Sequence, residues 1–354
     1  MTMASSETTS RSALRIIDAN LNRIAEGIRL LEDIARLLLD DGTLTRKLKT
    51  MRHEMVSSEP SFQQKLLEAR DANRDVGMLI SEDRQRELPI LVVANSRRVQ
   101  ESLRTIEELA KLPDTAPGLD PEKFKQARFS MYVIEQELFS RLLRQDKKNQ
   151  ISGLYLIIDT AALKGRSHAE VAAQAIKGGV SIIQLRDKML SKRELLPVAR
   201  ELRKLCASAN VLFIINDYLD LALATDADGL HLGQHDLPVE IARRLLPADK
   251  ILGCSTTSVE QAKAAQNGGA DYIAIGAMYP TSNKETAQVV GLTRLKEVRR
   301  VTELPIVAIG GITGDNIQDI IAGGANAVAV INAILSTEDI VAAVRKMAGV
   351  FQTS

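Results

Sequence analysis

The residues with the clearest chemical use stand at the ends of short apolar runs in the second half of the chain. Gln184-Leu185-Arg186-Asp187-Lys188 closes one such run, and strand alternation turns Gln184, Arg186 and Lys188 to one side. Two cations beside a polar side chain suit a polyphosphate, because guanidinium offers phosphate oxygens a planar fork and ammonium a point charge. Asn216-Asp217 closes the next run, and DGLHLGQHD ends in Asp236 after Gly233. Carboxylates from neighbouring strand ends, opposite an Arg/Lys pair, fit a magnesium ion that keeps its waters and bridges to substrate phosphates. His231 and His235 come without an evident third soft ligand, which disfavours zinc; His231 reads as a packed or substrate-facing side chain.

Gly253-Cys254-Ser255 is a small-residue turn that admits a ligand at close range. MYPTSNKET groups Thr281, Ser282, Asn283 and Lys284 as hydroxyl, amide and ammonium donors for a second anion. Gly310-Gly311-Ile312 and Ile331-Asn332-Ala333 follow the last two runs, where glycine lets backbone N–H groups approach a phosphate. Taken singly, each motif also reads as an ordinary strand-to-helix loop; their common register is what gives them weight. Neither a Walker loop nor a Ser/His/Asp triad is apparent. Two phosphorylated substrates and a metal point to a transferase that expels pyrophosphate.

The runs themselves are LYLIID, SIIQL, VLFIIND, DGLHL, ILGCS, DYIAIG, PIVAIGG and NAVAVI, separated by helix-like segments. Short continuous runs rich in Ile and Val suit strands buried on both faces, and strands alternating with helices imply a parallel sheet. Eight such units from Ile151 onward meet the lower size limit of a (β/α)8 TIM barrel, whose active site lies at the C-terminal strand ends. Before about Leu143 the apolar residues mostly recur at three- and four-residue spacing, as in Ile16, Ile17, Leu21, Ile24, Ile28 and Leu31, which marks amphipathic helices. The polar run Arg144–Gln150 separates the two patterns, so the expected organisation is an all-α domain over 1–148 and an α/β barrel over 149–354.

An internal repeat runs through the helical half. ANLNRIAEGIRLLEDIARL (19–37) aligns without gaps to ANSRRVQESLRTIEELAKL (94–112), pairing Asn20 with Asn95, Arg23 with Arg98, Glu26 with Glu101 and Glu32 with Glu107. KLKTMRHEM (47–55) likewise resembles KFKQARFSM (123–131). Two copies of a helix pair predict a pseudo-two-fold bundle. The copied polar residues read either as a solvated face laced with i,i+3 and i,i+4 ion pairs or as a buried network or anion site, with Asn20, Arg23, Asn95 and Arg98 as its candidates. Arg70, Asp71, Arg74 and Asp75 before Gly77 form a loop placed to cap such a site.

Forty-six Lys and Arg against 45 Asp and Glu leave a net charge of +1, which argues against a nucleic-acid partner. Cys206 and Cys254 are too few for a disulfide scaffold or an all-cysteine zinc site. The first residues have no apolar core of a signal peptide, and no stretch approaches the roughly 18–20 apolar residues that span a bilayer. The expected setting is cytoplasmic, with small-molecule substrates, no membrane partner and room for a homo-oligomer.

With QLRDK, ND, GLHLGQHD, GCS, YPTSNKET and IGGIT in this order, residues 151–354 resemble thiamine-phosphate synthases. The resemblance implies condensation of hydroxymethylpyrimidine diphosphate with hydroxyethylthiazole phosphate, giving thiamine phosphate and pyrophosphate. Gln184, Leu185, Arg186, Asp187, Lys188 and Asn216 would then hold the pyrimidine diphosphate together with Ser255 and Lys284. Asp217 and Asp236 would hold Mg2+, and Thr281, Ser282, Asn283, Gly311, Ile331 and Asn332 the thiazole phosphate. The chemistry so implied is dissociative, and Arg186, Lys188, Ser255 and Lys284 would carry its charge stabilisation. Asn283 stands where the family usually has Thr, and Asn332 where it usually has Ser. The related thiazole tautomerases share the barrel but generally lack the full diphosphate set, so retention of Arg186, Lys188, Asp217, Asp236 and Lys284 favours a synthase.

The helical half is similar, in DANLNRIAEGIRLLEDIAR, to a domain fused ahead of such synthases and regarded as a hydroxymethylpyrimidine phosphate kinase. That resemblance implies an ATP-dependent step making the diphosphate that the barrel consumes. The alternative is a non-catalytic assembly or sensing module.

Overall fold

The computed structural model describes residues 3–56, 59–70, 87–112, 119–281 and 289–352. The chain divides into two compact units, Met1–Leu143 and Arg144–Ser354. The polar run at Arg144–Gln150 is helical as far as Asn149, and Arg144 is buried against Asp271, its Nε donating to Oδ1 over 2.8 Å.

In the first unit α1 (Met3–Leu37) packs against α2 (Gly42–Val56), α3 (Pro60–Ala69) and α4 (Leu88–Leu109), with α5 (Pro121–Asn149) completing the helices. The i, i+3, i+4 series Ile17, Leu21, Ile24, Ile28, Leu31 forms one buried stripe, and Val92, Val99, Leu103 and Ile106 form its counterpart on α4. At the crossing, a Cβ on Gly27 would fall 2.5 Å from Val99 Cγ2, so the helices approach where α1 has no side chain.

The repeat is structural, and its copied polar residues separate into two groups. Glu32 on α1 is buried against Arg52 of α2 (Nε–Oε2 2.9 Å), and Glu107 on α4 is buried against Arg128 of α5 (Nη2–Oε2 3.1 Å), the same pair in both copies. Arg29–Asp33 and Arg104–Glu108 are the exposed i,i+4 pairs of a solvated face, again in both copies. The copied set thus includes a solvated face and two buried ion pairs, and the buried pairs are formed by Glu32 and Glu107 rather than by Asn20, Arg23, Asn95 or Arg98. Asp18 takes Arg70 through two bonds of 2.7 and 2.8 Å; Asp71 to Gly77 lie outside the described residues.

The second unit is a closed barrel of parallel strands in sequence order: β1 (Gly153–Asp159), β2 (Ile182–Arg186), β3 (Leu212–Asn216), β4 (Gly229–Leu232), β5 (Ile251–Thr256), β6 (Tyr272–Ile275), β7 (Ile306–Ile309) and β8 (Ala327–Val330). Each predicted apolar run supplies one strand. Helices α6 (His168–Gly178), α7 (Lys192–Ser208), α8 (Leu219–Ala224), α9 (Val239–Leu245), α10 (Val259–Asn267), α11 (Gly291–Arg299), α12 (Ile317–Ala322), α13 (Asn332–Leu335) and α14 (Ile340–Ala348) alternate with them and close the chain.

Period-two alternation divides the apolar residues between two cores. Along β1, Leu154, Leu156 and Ile158 face the helices, whereas Tyr155 and Ile157 fill the barrel interior with Ile182, Leu212, Ile214 and Tyr272. A register slip of one residue would exchange these sets, so the pattern itself locks the strands. No helix among the described residues is long and apolar enough to cross a membrane.

The two symmetric ion pairs differ in redundancy. Glu107 also reaches Arg104 and Lys111, whereas Glu32 has Arg52 as its ion-pair partner among the described residues. Arg52→Ala is expected to destabilise the helical unit by about 3 kcal/mol, since it strands a buried carboxylate. Arg128→Ala should cost less, and the exposed Arg29→Ala about 0.5 kcal/mol or less. Amide hydrogen exchange along α1 and α4 in the full chain reads this order.

Candidate active site

The C-terminal strand ends open into a cavity of about 870 Å3. Gln184, Arg186 and Lys188 line it in alternation, followed around the rim by Asn216, Asp217, Asp236, Ser255, Thr281, Gly311, Ile331 and Asn332. Leu185 and Asp187, grouped with them from sequence, turn their side chains elsewhere. Leu185 packs between strand and helices, and Asp187 Oδ1 accepts the N–H groups of Met189 and Leu190, shaping the loop after β2. Ser282, Asn283 and Lys284 lie outside the described residues.

One side of the cavity is an electrostatic cluster. Arg186 Nη1 is paired with Asp159 at the end of β1, and Lys188 Nζ with Asp217. The hydrogen bond to Asp217 raises the pKa of Lys188, so the ammonium is kept charged. Asp217 sits in the left-handed region at φ 63°, a cost of about 1 kcal/mol for a non-glycine residue that is typical of functional turns. Its pKa is raised, first by burial and then by the facing carboxyl of Asp236, against the opposing pull of Lys188. Asp236 is held in turn by the Gly233 N–H at 2.7 Å.

Two crowded carboxylates whose joint ionisation is resisted are a setting that a divalent cation relieves. Their oxygens are hard donors, and among the described residues no third His, Cys, Asp or Glu joins them. The residues therefore fit a magnesium ion that takes its remaining ligands from water and substrate. Zinc fits less well, because both ring nitrogens of His231 are occupied, Nδ1 by Tyr272 Oη at 3.0 Å and Nε2 by Ser255 Oγ at 2.9 Å. Burial pushes the pKa of His231 down to about 4 and that of the Cys254 thiol up to about 11, so at neutral pH the imidazole is uncharged and the thiol is no nucleophile.

Across the cavity, Gly310 and Gly311 have φ of 98° and 66°, and a Cβ on Gly311 would lie 2.6 Å from the Pro280 carbonyl oxygen. Only glycine supports that turn, which lays bare backbone along the wall beside Ile331 and Asn332. The cavity thus has a cation-and-carboxylate side and a backbone side.

Several contributors were not found from sequence. Asp159, the partner of Arg186, ends the run LYLIID and obeys the same strand-end rule that singled out the others. Tyr155 and Tyr272 sit inside apolar runs, where nothing local separates a packing tyrosine from one that lines a floor. In the helical unit, Asn20 and Asn95 are buried and return their amide N–H to the carbonyls of Ile16 and Leu91 at 2.8 and 2.9 Å. Arg23 and Arg98 are exposed. None of these four lines the groove of about 520 Å3 that Arg97, Gln100, Glu101, Arg104, Arg128 and Tyr132 form on α4 and α5.

Residues 154–334 match the family model described as thiamine monophosphate synthase, and residues 15–137 match the ThiD2 family. A curated thiamine-phosphate synthase of Thermosynechococcus vestitus is 37% identical over 336 residues, covering 94% of this chain and 93% of the relative. One from a Synechocystis strain is 39% identical over 326 residues, covering 91% and 92%. Among solved structures, a thiamine phosphate pyrophosphorylase from Pyrococcus furiosus is similar at 35% identity with a TM-score of 0.54, covering 58% of this chain and 98% of that one. The two curated relatives match both halves and the Pyrococcus furiosus structure matches a little over half the chain, so this chain belongs to the thiamine-phosphate synthase family of transferases, with a ThiD2-family helical half ahead of its barrel.

Proposed function

We propose that the barrel joins hydroxymethylpyrimidine diphosphate to hydroxyethylthiazole phosphate, with Arg186, Lys188, Asp217 and Asp236 at the diphosphate and the Gly311–Asn332 wall at the thiazole phosphate. The observation that carries this reading is the convergence of an Arg/Lys pair and a crowded carboxylate pair on one cavity, opposite a glycine turn of exposed backbone. Asp217 and Asp236 would hold Mg2+, which would supply charge neutralisation to the leaving pyrophosphate.

The chain's own residues supply the rest. Arg186 and Lys188 bind diphosphate oxygens and stabilise the negative charge that grows as the pyrimidine methylene C–O bond breaks, its electron pair leaving with pyrophosphate. The thiazole nitrogen lone pair then closes on the methylene cation, forming the C–N bond. Thr281, Ser282, Asn283, Gly311, Ile331 and Asn332 hold the thiazole phosphate so that its nitrogen lies in line, and Lys284 and Ser255 complete the diphosphate side. No nucleophilic side chain is required, in keeping with the high pKa of Cys254.

Asp217→Ala and Lys188→Ala are expected to lower thiamine-phosphate formation at least about 100-fold with the circular dichroism spectrum unchanged. Turnover at the parental rate in either would sink the assignment. Because the pKa of Asp217 is raised, its charge is lost earlier on acidification and Mg2+ affinity should weaken with it. Calorimetric Mg2+ titration across pH reads this, and an affinity that stays flat as pH falls would overturn it.

For the helical half we propose phosphorylation of hydroxymethylpyrimidine phosphate with ATP as donor. The ThiD2-family match supports it, as does the groove, where Arg97 stands beside Arg104 and Arg128, each of these two also paired with Glu107. The exposed Arg23 and Arg98 are further candidate anion contacts, with Asn20 and Asn95 setting the helix faces. Full-length protein given the pyrimidine monophosphate, thiazole phosphate, Mg2+ and ATP should form thiamine phosphate. Product from the diphosphate alone would mark the helical half as a non-catalytic assembly or sensing module, and product from neither would favour a thiazole tautomerase.

A further inference from the structure

Beneath the cavity a continuous hydrogen-bond chain crosses the barrel interior from β2 to β5. Gln184 Nε2 donates to Tyr155 Oη at 2.8 Å, Tyr155 Oη meets Tyr272 Oη at 3.1 Å, Tyr272 Oη meets His231 Nδ1 at 3.0 Å, and His231 Nε2 meets Ser255 Oγ at 2.9 Å. Gln184, Tyr155, Tyr272 and His231 are all buried. The room for Tyr272 is built in: a Cβ on Gly253 would lie 2.1 Å from its ring.

A buried hydroxyl has one proton to give, so the direction of each bond follows from its neighbour. With Gln184 Nε2 donating, the Tyr155 oxygen accepts and its own proton is left for Tyr272. Tyr272 then donates to His231 Nδ1, which leaves the proton of the neutral imidazole on Nε2, donating to Ser255 Oγ. Two ends face the cavity as a result. Gln184 keeps Oε1 as an acceptor without a partner among the described residues, and Ser255 keeps its O–H as a donor. Turning one end round would require every link to reverse together.

We propose that Tyr155, Tyr272 and His231 are positioning residues that fix this polarity, so that the cavity floor accepts a hydrogen bond at Gln184 and donates one at Ser255. The inference rests on the pyrimidine reading of the barrel site: an aminopyrimidine presents a donor N–H beside acceptor atoms, and the floor is its complement. A ligand lacking the amino group leaves Gln184 Oε1 buried and unpaired, which is how a polar site rejects it.

The test is Tyr272→Phe and Tyr155→Phe, singly and together, in the full chain. Each keeps the ring and its packing and removes one hydroxyl. The readout is the ratio of KM for the aminopyrimidine diphosphate to KM for its desamino analogue, compared between variants so that intrinsic reactivity cancels. Discrimination should fall about tenfold in either single variant, and the double variant should fall no further, because one break already frees the Gln184 amide to turn. Unchanged discrimination in folded Tyr155→Phe or Tyr272→Phe would overturn the relay while leaving the substrate reading intact. Additive losses would also overturn it, as two independent contacts. No turnover of the aminopyrimidine diphosphate by the parent chain would sink the substrate reading and the relay with it.

Discussion

Closure of the parallel strands into a barrel is the constraint on which the site depends. A closed ring of strands running one way has a single C-terminal rim, so every residue that ends an apolar run is delivered to the same mouth, whatever its distance in sequence. Gln184 and Asn332 are about 150 positions apart and line one cavity. Alternation completes the sorting: Arg186 faces the cavity while Leu185 beside it packs under the helices. Apolar burial between strands and helices provides the stability, and the rim is left to chemistry.

That rim gathers charges in a partly dry space, where they govern one another. Asp217 is pushed toward its neutral form by burial and by Asp236, yet Lys188 is held in its charged form by the same Asp217. The two carboxylates are crowded together while Arg186 and Lys188 are each already paired with an aspartate. Deeper in the barrel the polarity is set by hydrogen bonds rather than by charge, because a buried imidazole with a pKa pushed to about 4 stays neutral.

The helical half shows how duplication preserves geometry through polar residues. Glu32–Arg52 and Glu107–Arg128 occur at matching positions of the two copies, each joining a long helix to the helix that follows its copy. A buried carboxylate without its arginine is costly, so such a pair resists change in a way that interchangeable leucines do not. The copies also diverge: Arg97 and Gln100 of the groove stand opposite Asn22 and Ala25 of the first copy.

The sequence alone determined the two architectures, the strands and their order, the repeat, and the shared face of Gln184, Arg186 and Lys188, because each rests on local periodicity: 3.6 in one half, short apolar runs in the other, and strand alternation after β2 begins. Tertiary structure decided what those residues touch. The pairing of Arg186 with Asp159, the crowding of Asp217 by Asp236, and the chain through Tyr155, Tyr272 and His231 join strands far apart in sequence. It also divided the copied polar set into buried and exposed members, and showed that α5 continues through the polar run at Arg144. Periodicity tells which face a residue occupies; which residues share a face across the barrel is set only when long-range packing closes it.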